Sequence, residues 1–450
     1  MKIFSKFKFK GGIHPVYHKE QTAGRPLRQI SIPPKLIISM SQHLGAPANP
    51  VVEVGATVKA DQLIAEANGF ISAPVHAPVA GKVTGIIEAP TPVGRTAAAI
   101  VLEPDGSQER DQSLTPIENW SVQPAKTLIE RVAAAGIAGM GGAGFPTKVK
   151  LAPPSDKPID TLILNGAECE PYLTGDHRLM LEYAGDIVHG CNIIRYILNA
   201  KTVRIAIEDN KPDAIAAMEK ALKSMEGDVA VTVLKTSYPQ GSEKQQIFSV
   251  TGRTVPAGGL PMDVGCLVEN VGTTLAVRDA VLYGRPLTQR TITVSGDAVA
   301  QPDNLMVPLG TPFADLVEAC GGTGGKKVAK IIAGGPMMGF AQSALNAALT
   351  KTSSGLLLFT SVRVNEFTSQ ACISCGRCVD ACPMRLMPSE LSQTIEADDM
   401  EFAEELRVLD CFECGSCAHE CPAKRPLVQH MRRAKAAIML KRRNAQAKSN

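Results

Sequence analysis

Two runs near the carboxyl end, CISCGRCVDACP (372–383) and CFECGSCAHECP (411–422), constrain this chain more than any other feature. Each reads C-x2-C-x2-C-x3-C-P. Three thiolates at that spacing project from one tight loop onto three irons of a cubane, and the fourth, followed by proline, points away to the other cluster. Two [4Fe–4S] centres are therefore expected. One would be held by Cys372, Cys375, Cys378 and Cys421, the other by Cys411, Cys414, Cys417 and Cys382. Structural zinc usually pairs two C-x2-C knuckles and does not crowd four cysteines into so short a run. Disulfides are disfavoured because no signal peptide opens the chain. The 28 residues from Pro383 to Asp410 are rich in helix formers, with a helix start at Ser389, so a helical two-cluster domain is expected. The other four cysteines, Cys169, Cys191, Cys266 and Cys320, stand alone and read as packed thiols.

The stretch GMGGAGFPTKVK (139–150) contains a literal GxGxxG. A dinucleotide fingerprint needs a strand leading into those glycines and a helix following them. Here the lead-in, AKTLIERVAAAGIAG, sets Leu128, Ile129, Val132 and Ile137 at helical spacing. Helix followed by glycine loop is not the dehydrogenase arrangement. From about 160 the pattern alternates. DTLILN, VRIAIED and VAVTVLK read as strands, HRLMLEYAGDIVHGCNIIRYILNA and PDAIAAMEKALKSME as helices, the second with Pro212 in its first turn. Such alternation gives a parallel sheet covered by helices, with ligands beyond the carboxyl ends of its strands. NGAECEP (165–171) stands at such an end, which makes Asn165, Glu168 and Glu170 candidates for a cofactor site. The alternative is that Asn165 and Glu168 cap the next turn.

A chain of 450 residues should hold two to four domains, and 44% hydrophobic with 20% charged residues excludes disorder. The uncharged run IIAGGPMMGFAQSALNAALT (331–350) reads as a loop plus a buried helix, since glycines, prolines and polar side chains interrupt it as a membrane span. Net charge is +3 but uneven: four lysines lie in the first ten residues and nine Lys/Arg in 422–450, with no acid in either, leaving 34 basic against 44 acidic residues between. Basic ends on an acidic body suit contact with a membrane surface, an acidic subunit or nucleic acid, or are simply solvated. Residues 30–105 are β-rich, and the phrases VVEVGATV and APVHAPVAGKV resemble a biotinyl/lipoyl-type barrel-sandwich. No lysine lies between 69 and 80 to carry a prosthetic group, so this module is expected to scaffold or dock, with His76 a surface or packing residue.

GMGGAGFPTKVKL, NGAECEPYLTGD, YPQGSEKQQ and VENVGTTLAV resemble, in order, the flavin- and NADH-binding subunit of respiratory complex I. TITVSGDAVAQPDNLMVPLGTPFADLVEACGG is similar to that subunit's β-grasp SLBB module. With GGIHPVYHKEQ, the barrel-like segment and the doubled cysteine motif, the whole chain resembles the C subunits of the Rnf (Rsx) complex. The resemblance implies a multidomain α+β fold. Its parts are an N-terminal arm (1–29), a barrel-sandwich hybrid module (30–110), an α/β FMN/NADH-binding domain (120–285), an SLBB β-grasp module (288–350), a two-cluster ferredoxin domain (365–430) and a basic tail (431–450).

It also implies that Gly141, Gly142 and Gly144 cradle FMN and that Lys150 neutralises charge near it. Phe145 would stack on adenine, and Asn165, Glu168 and Glu170 would lie by the isoalloxazine, the two carboxylates serving the nicotinamide. Glu243, Asn270 and Thr273 would be further flavin- and nucleotide-side positions. Ala167, Ser242, Glu269, Gly272 and Pro153 depart from the complex I pattern. The cofactors implied are FMN and two [4Fe–4S] clusters, with NAD(H) as substrate. The implied partners are the A, B, D, E and G subunits, with ferredoxin reached indirectly, the membrane surface reached through the complex, and no nucleic acid. The implied place is the cytoplasmic face of the cell (inner) membrane, peripheral, without a transmembrane helix. The basic tail is expected to help docking. Two alternatives remain open on sequence: a soluble NADH-dependent reductase like the cobalamin reductases, and a wiring subunit without flavin.

Overall fold

Thr161–Asn165 (TLILN), Thr202–Glu208 (TVRIAIE) and Asp228–Leu234 (DVAVTVL) are nearly continuous apolar runs because helices cover both faces of their sheet. In the computed structural model, which describes residues 1–107, 109–364 and 368–449 (side chains to 445), these strands pair in parallel. The expected ferredoxin boundary at 365 and the last residue of the tail lie outside the described residues. Cys266–Asn270 adds beside Thr161–Asn165, and the N-terminal Lys2–Phe4 forms the opposite edge against Asp228–Leu234. The chain thus builds outward from Thr161–Asn165 to one side, then returns to its other side with Cys266–Asn270. That reversal is a topological switch point, where a crevice opens at the strand ends. Asn165 and Asn270 are register partners at its lip.

The helix expected over 177–200 is two, Gly175–Glu182 and Ala184–Leu198, because Tyr183 leaves helical geometry (φ −125°, ψ 28°) between them. Helix Ala125–Ala134 leads into the glycine loop, as its periodicity required.

The β-grasp sheet pairs Gln289–Ser295 with Asp303–Pro308 antiparallel and with Gly355–Phe359 in parallel. The strand Gly355–Phe359 thus carries this sheet past the expected limit at 350. The loop-plus-helix expectation for 331–350 is wrong. Lys330–Ala333 and Phe340–Gln342 form a hairpin, and the chain at Ala348 bridges to Pro312. Ile331 and Ile332 are β-branched, and Gly334, Gly335 and Pro336 turn the chain, so strand chemistry prevails over apolar continuity. Arg28–Gln29 of the N-terminal arm joins the same sheet.

Leu36, Ile38, Ile64, Val75, Val83, Ile100 and Leu102 form the barrel-sandwich core. His76 packs there too, and burial pushes its pKa down to about 3, so it is a neutral packing residue.

The cluster module is helical, with Pro388–Glu396, Met400–Glu405 and the long Leu427–Ser449. Met431, Ala434 and Ile438 of that last helix belong to the module's core. The basic tail is therefore not a free arm. Arg432 and Lys435 pair with Glu413, Arg433 with Asp398, Lys441 with Glu401 and Arg442 with Glu404. Within the chain these cations meet Glu413 of the second cysteine run and acids of the segment between the two runs.

Candidate functional site

The two cysteine runs fold as near copies. Ser374 and Glu413, each two residues after the first cysteine, are left-handed (φ 55° and 64°), and Gly376 and Gly415 follow the second cysteine at φ 75° and 83°. Only glycine adopts that last conformation without strain, which fixes both as glycine. Short helices Arg377–Asp380 and Ser416–Glu420 then carry the third cysteine. Two cavities result. Cys382, Cys411, Cys414 and Cys417 line one, and Cys372, Cys375, Cys378 and Cys421 line the other. The fourth cysteine of each run has crossed to the other.

The sulfurs surround these spaces without converging on a point. Among the described residues no three His, Cys, Asp or Glu side chains could hold a single metal ion. Backbone N–H groups of Leu386, Glu413 and Ser374 donate to Cys382, Cys411 and Cys372 Sγ at 3.4–3.5 Å. Such donors stabilise sulfur that carries negative charge, and four cysteines around each cavity are the ligand set of a [4Fe–4S] cluster.

The glycine loop lies over the switch-point crevice. Thr273 Oγ1 accepts the Met140 N–H (2.9 Å), and Gly139 N–H donates to Phe145 O (2.9 Å), so the base of the loop is fastened. The N–H groups of Gly141, Gly142, Ala143 and Gly144 donate to no acceptor among the described residues. A Cβ on Gly141 would press on the Asn270 side chain at 3.1 Å, while one on Gly142 would enter open space. Asn270 caps helix Val271–Tyr283 by accepting from Gly272 and Thr273 N–H, and its amide donates to Asp176 (2.6 Å). Beneath the loop, Gln246 Oε1 on helix Glu243–Thr251 is buried without a donor, and the buried Glu269 Oε1 meets only the Lys150 ammonium, at 3.7 Å. Free N–H groups on a glycine loop over such a crevice suit a ligand that carries a phosphate.

Lys150 is more engaged than a lone charge for a ligand. Its ammonium meets Glu243 (3.3 Å), Glu269 (3.7 Å) and the Val268 carbonyl. Burial acts to lower its pKa, but Glu269 and Glu243 hold it above the ordinary value. Phe145 is half-buried at the end of the loop.

Glu168 accepts from Asp176 N–H (3.0 Å) and His177 N–H (3.3 Å), capping helix Gly175–Glu182. Asn165 accepts from Ala167 N–H and Gln246 and donates to Gly241 O. Turn capping and position at the crevice therefore coexist. Glu170 faces the β-grasp hairpin, where Met337 and Met338 N–H donate to it at 3.0 and 2.9 Å. Enclosure pushes its pKa up to about 7, against those N–H groups, Lys19 and Tyr238. Tyr238 donates to the Cys414 carbonyl (2.7 Å) and lies 3.5 Å from Glu170, so the crevice domain touches the cavity lined by Cys414. Cys169, Cys191, Cys266 and Cys320 are buried free thiols, and Cys169 packs in that contact with Tyr238 and Cys414.

Sequence reasoning missed Asp176, which ends the motif quoted for the crevice; burial and Glu168 push it up to about 6. Lys19, Arg290 and Lys351 were also missed, since they reach the site from other modules and leave no local signal. Lys351 is fully buried and donates to Pro74 O and Gly136 O (2.6 and 2.7 Å), tying barrel, crevice domain and β-grasp module together. Burial pushes its pKa from 10.5 down to about 7. Between those values the folded chain binds fewer protons than the unfolded one, so stability falls as pH drops through that window, by up to roughly 1.4 kcal/mol per pH unit. Lys351→Met should flatten the pH dependence of the melting temperature between about pH 8 and 10. Equal slopes for the two chains in calorimetry would contradict this.

Four family models match separate stretches of the chain. Residues 132–279 match the Nuo51 FMN-binding domain, 7–107 the RnfC barrel sandwich hybrid domain, 291–341 the SLBB domain and 362–425 the 4Fe-4S dicluster domain. The chain is 50% identical to the C subunit of the proton-translocating ferredoxin:NAD(+) oxidoreductase complex of Clostridium ljungdahlii, over 95% of this chain and 93% of that one. It is 43% identical to the C subunit of the Na(+)-translocating ferredoxin:NAD(+) oxidoreductase complex of Acetobacterium woodii, over 97% and 98%. With the C subunit of the ion-translocating oxidoreductase complex of Rhodobacter capsulatus it shares 41%, over 96% and 83%. A chain of the NAD+-reducing [NiFe]-hydrogenase superposes with a TM-score of 0.50 at 19% identity, covering 70% of this chain and 65% of that one, a likeness of fold alone. With half its residues identical to a relative matched almost end to end, the chain belongs to the family of C subunits of ion-translocating ferredoxin:NAD(+) oxidoreductase (Rnf) complexes.

Proposed function

We propose that this chain is the peripheral subunit at which NAD(H) exchanges electrons with an ion-translocating ferredoxin:NAD(+) oxidoreductase, through FMN and two [4Fe–4S] clusters. The observation that carries this reading is the Tyr238 contact, which joins the crevice beneath the glycine loop to a cavity ringed by four cysteines. When bound, FMN exchanges a hydride with the nicotinamide and single electrons with iron–sulfur centres, and the clusters relay those electrons one at a time.

The free N–H groups of Gly141, Gly142 and Gly144 would hold the FMN phosphate, with Asn270 and Thr273 fixing the loop beneath them. Glu243 and Glu269 keep Lys150 charged at the crevice floor. Asn165 and Glu168 hold the strand-end turn in shape, Phe145 flanks the nucleotide entrance, and Glu170 fastens the turn to the β-grasp hairpin. None of these need act as a strong acid or base. Cys382, Cys411, Cys414 and Cys417 would hold the cluster next to the crevice, and Cys372, Cys375, Cys378 and Cys421 the outer one. Cys375 is exposed and Ile373 beside it is 66% exposed, which makes the second site the exit toward partner subunits. Among the described residues no helix is long and apolar enough to cross a membrane. We assign ion translocation to the partner subunits, and place this one on the cytoplasmic face, where NAD(H) is found.

Anaerobic reconstitution of the full chain, with counts of iron, sulfide and flavin and a test for bleaching by NADH, decides the matter. Clusters without flavin or bleaching would leave a wiring subunit instead. Gly142→Val offers a sharper check, because a side chain there enters open space in the protein. It should leave the melting temperature unchanged while cutting bound FMN at least about tenfold, the loss expected when backbone can no longer approach an anion. Wild-type flavin content in that variant would place the cofactor elsewhere.

A further inference from the structure

A buried cation stands behind the glycine loop and belongs to a different module. Arg290, on strand Gln289–Ser295, is 4% exposed. Its Nη2 donates to the Met140 carbonyl (2.8 Å) and its Nε to the Ser353 carbonyl (2.7 Å). Both acceptors are neutral, so hydrogen bonding leaves the charge uncancelled, and Asp176 and Glu168 act on it only at longer range. Burial lowers its pKa to about 10, which still leaves a cation at neutral pH.

The geometry of one peptide bond gives this contact a consequence. The carbonyl of Met140 and the N–H of Gly141 belong to the same planar trans unit and point in opposite directions. A Met140 carbonyl held inward by Arg290 therefore directs the Gly141 N–H outward. That N–H is the first of the four that lack a protein acceptor. The Met140 N–H is held inward as well, by Thr273, so the peptides on both sides of Met140 are orientated from below. A guanidinium on the carbonyl also polarises the same peptide and makes its N–H a stronger donor.

We propose that Arg290 is a positioning residue for the phosphate of the cofactor held by the glycine loop, so that the β-grasp module completes an anion site it does not itself line. This rests on the loop being the FMN site. Arginine suits the task because its fork spans two carbonyls in two modules, whereas lysine brings one ammonium on a flexible stem.

The test uses the full chain, titrated with FMN and separately with riboflavin, which lacks the phosphate. Flavin fluorescence reads binding, and melting temperature is measured alongside. Arg290→Lys keeps the charge but not the two-carbonyl clamp, and should weaken FMN binding about tenfold while riboflavin binding stays unchanged. Arg290→Ala should lose more, and added guanidinium should restore part of the FMN affinity as its concentration rises. Equal losses for FMN and riboflavin would mean a general structural role and overturn the proposal, as would wild-type FMN affinity in Arg290→Lys. If Arg290→Ala does not fold, Arg290→Lys decides alone; if neither folds, Arg290→Gln, which keeps an uncharged NH2 donor group, is titrated in their place with the same criteria. A wild-type chain that binds no FMN sinks the reading of the loop itself, and this inference with it. Wild-type binding with indifferent variants sinks only the inference.

Discussion

Cys375→Ser and Cys421→Ser, made singly and together, should cost the same cluster. Each chain, reconstituted anaerobically, should hold about four irons instead of about eight. The double variant should hold no fewer. Cys375→Ser combined with Cys382→Ser should instead lose nearly all iron, although both residues lie in the first run. The reason is the crossing seen in the cavities: Cys421 joins Cys372, Cys375 and Cys378, while Cys382 joins Cys411, Cys414 and Cys417. Replacing one thiolate of four removes a metal–ligand bond that serine oxygen matches poorly for soft iron–sulfur sites. Electron flow should separate the pairs as well. With Cys421→Ser, NADH should still reduce the flavin and the inner cluster, but reduction of an added acceptor at the outer face should fall by at least about a hundredfold, as expected when a relay centre is missing. Iron counts that track each run as a unit would mean that every run wraps its own metal.

The grouping of the eight cysteines around two cavities was legible because the spacing that sets it is local in sequence. Spacing within eleven residues, and the proline after the fourth cysteine, already imply which sulfurs turn outward. The glycine loop was legible in kind, since helix-before-glycine excluded a dehydrogenase and helix Ala125–Ala134 is present. What escaped is what arrives from afar. Glu170 reads as a crevice carboxylate until the β-grasp hairpin is seen donating two N–H groups to it. The hairpin itself was misread, because an uncharged run of twenty residues looks alike whether two short strands or one helix bury it. The charge of the carboxyl end was read correctly, and its partners within the chain were not foreseen. Five of its cations find acids from the segment between the cysteine runs or from Glu413, and pairing across a fold has no signature along the chain.

The N-terminal arm shows the same long-range logic, and Lys19→Met should expose it. Lys19 sends its ammonium into the turn that follows strand Thr161–Asn165, donating to the carbonyls of Glu168 (2.9 Å), Glu170 (2.9 Å) and Leu173. Its stem remains partly accessible while the ammonium is enclosed, and burial lowers its pKa despite the pull of Glu168. Methionine has similar length and no donor, so three carbonyls would lose their partner. At about 1 kcal/mol for each part-buried acceptor, the loss is roughly 2–4 kcal/mol. That is enough to open a local segment without unfolding the chain. The segment that should open is the stretch of arm around Lys19, between the paired strands Lys2–Phe4 and Arg28–Gln29, whose other ties include Tyr172 N–H to Tyr17 O (2.8 Å), the His18–Tyr172 ring stack and the bridge between Ile13 and Tyr238. Amide exchange at Ile13 and at Tyr172 should accelerate by about thirty- to a thousandfold, the factor that corresponds to that free energy. The same turn carries Glu168 and Glu170, so FMN retention and NADH-driven cluster reduction should fall together, while iron content stays at its wild-type level. Lys8→Met, at an exposed position of the same arm, serves as the control and should change none of these. Unaltered exchange in Lys19→Met would mean that the turn keeps its shape without the arm, and that the first residues of the chain do not help to build the site.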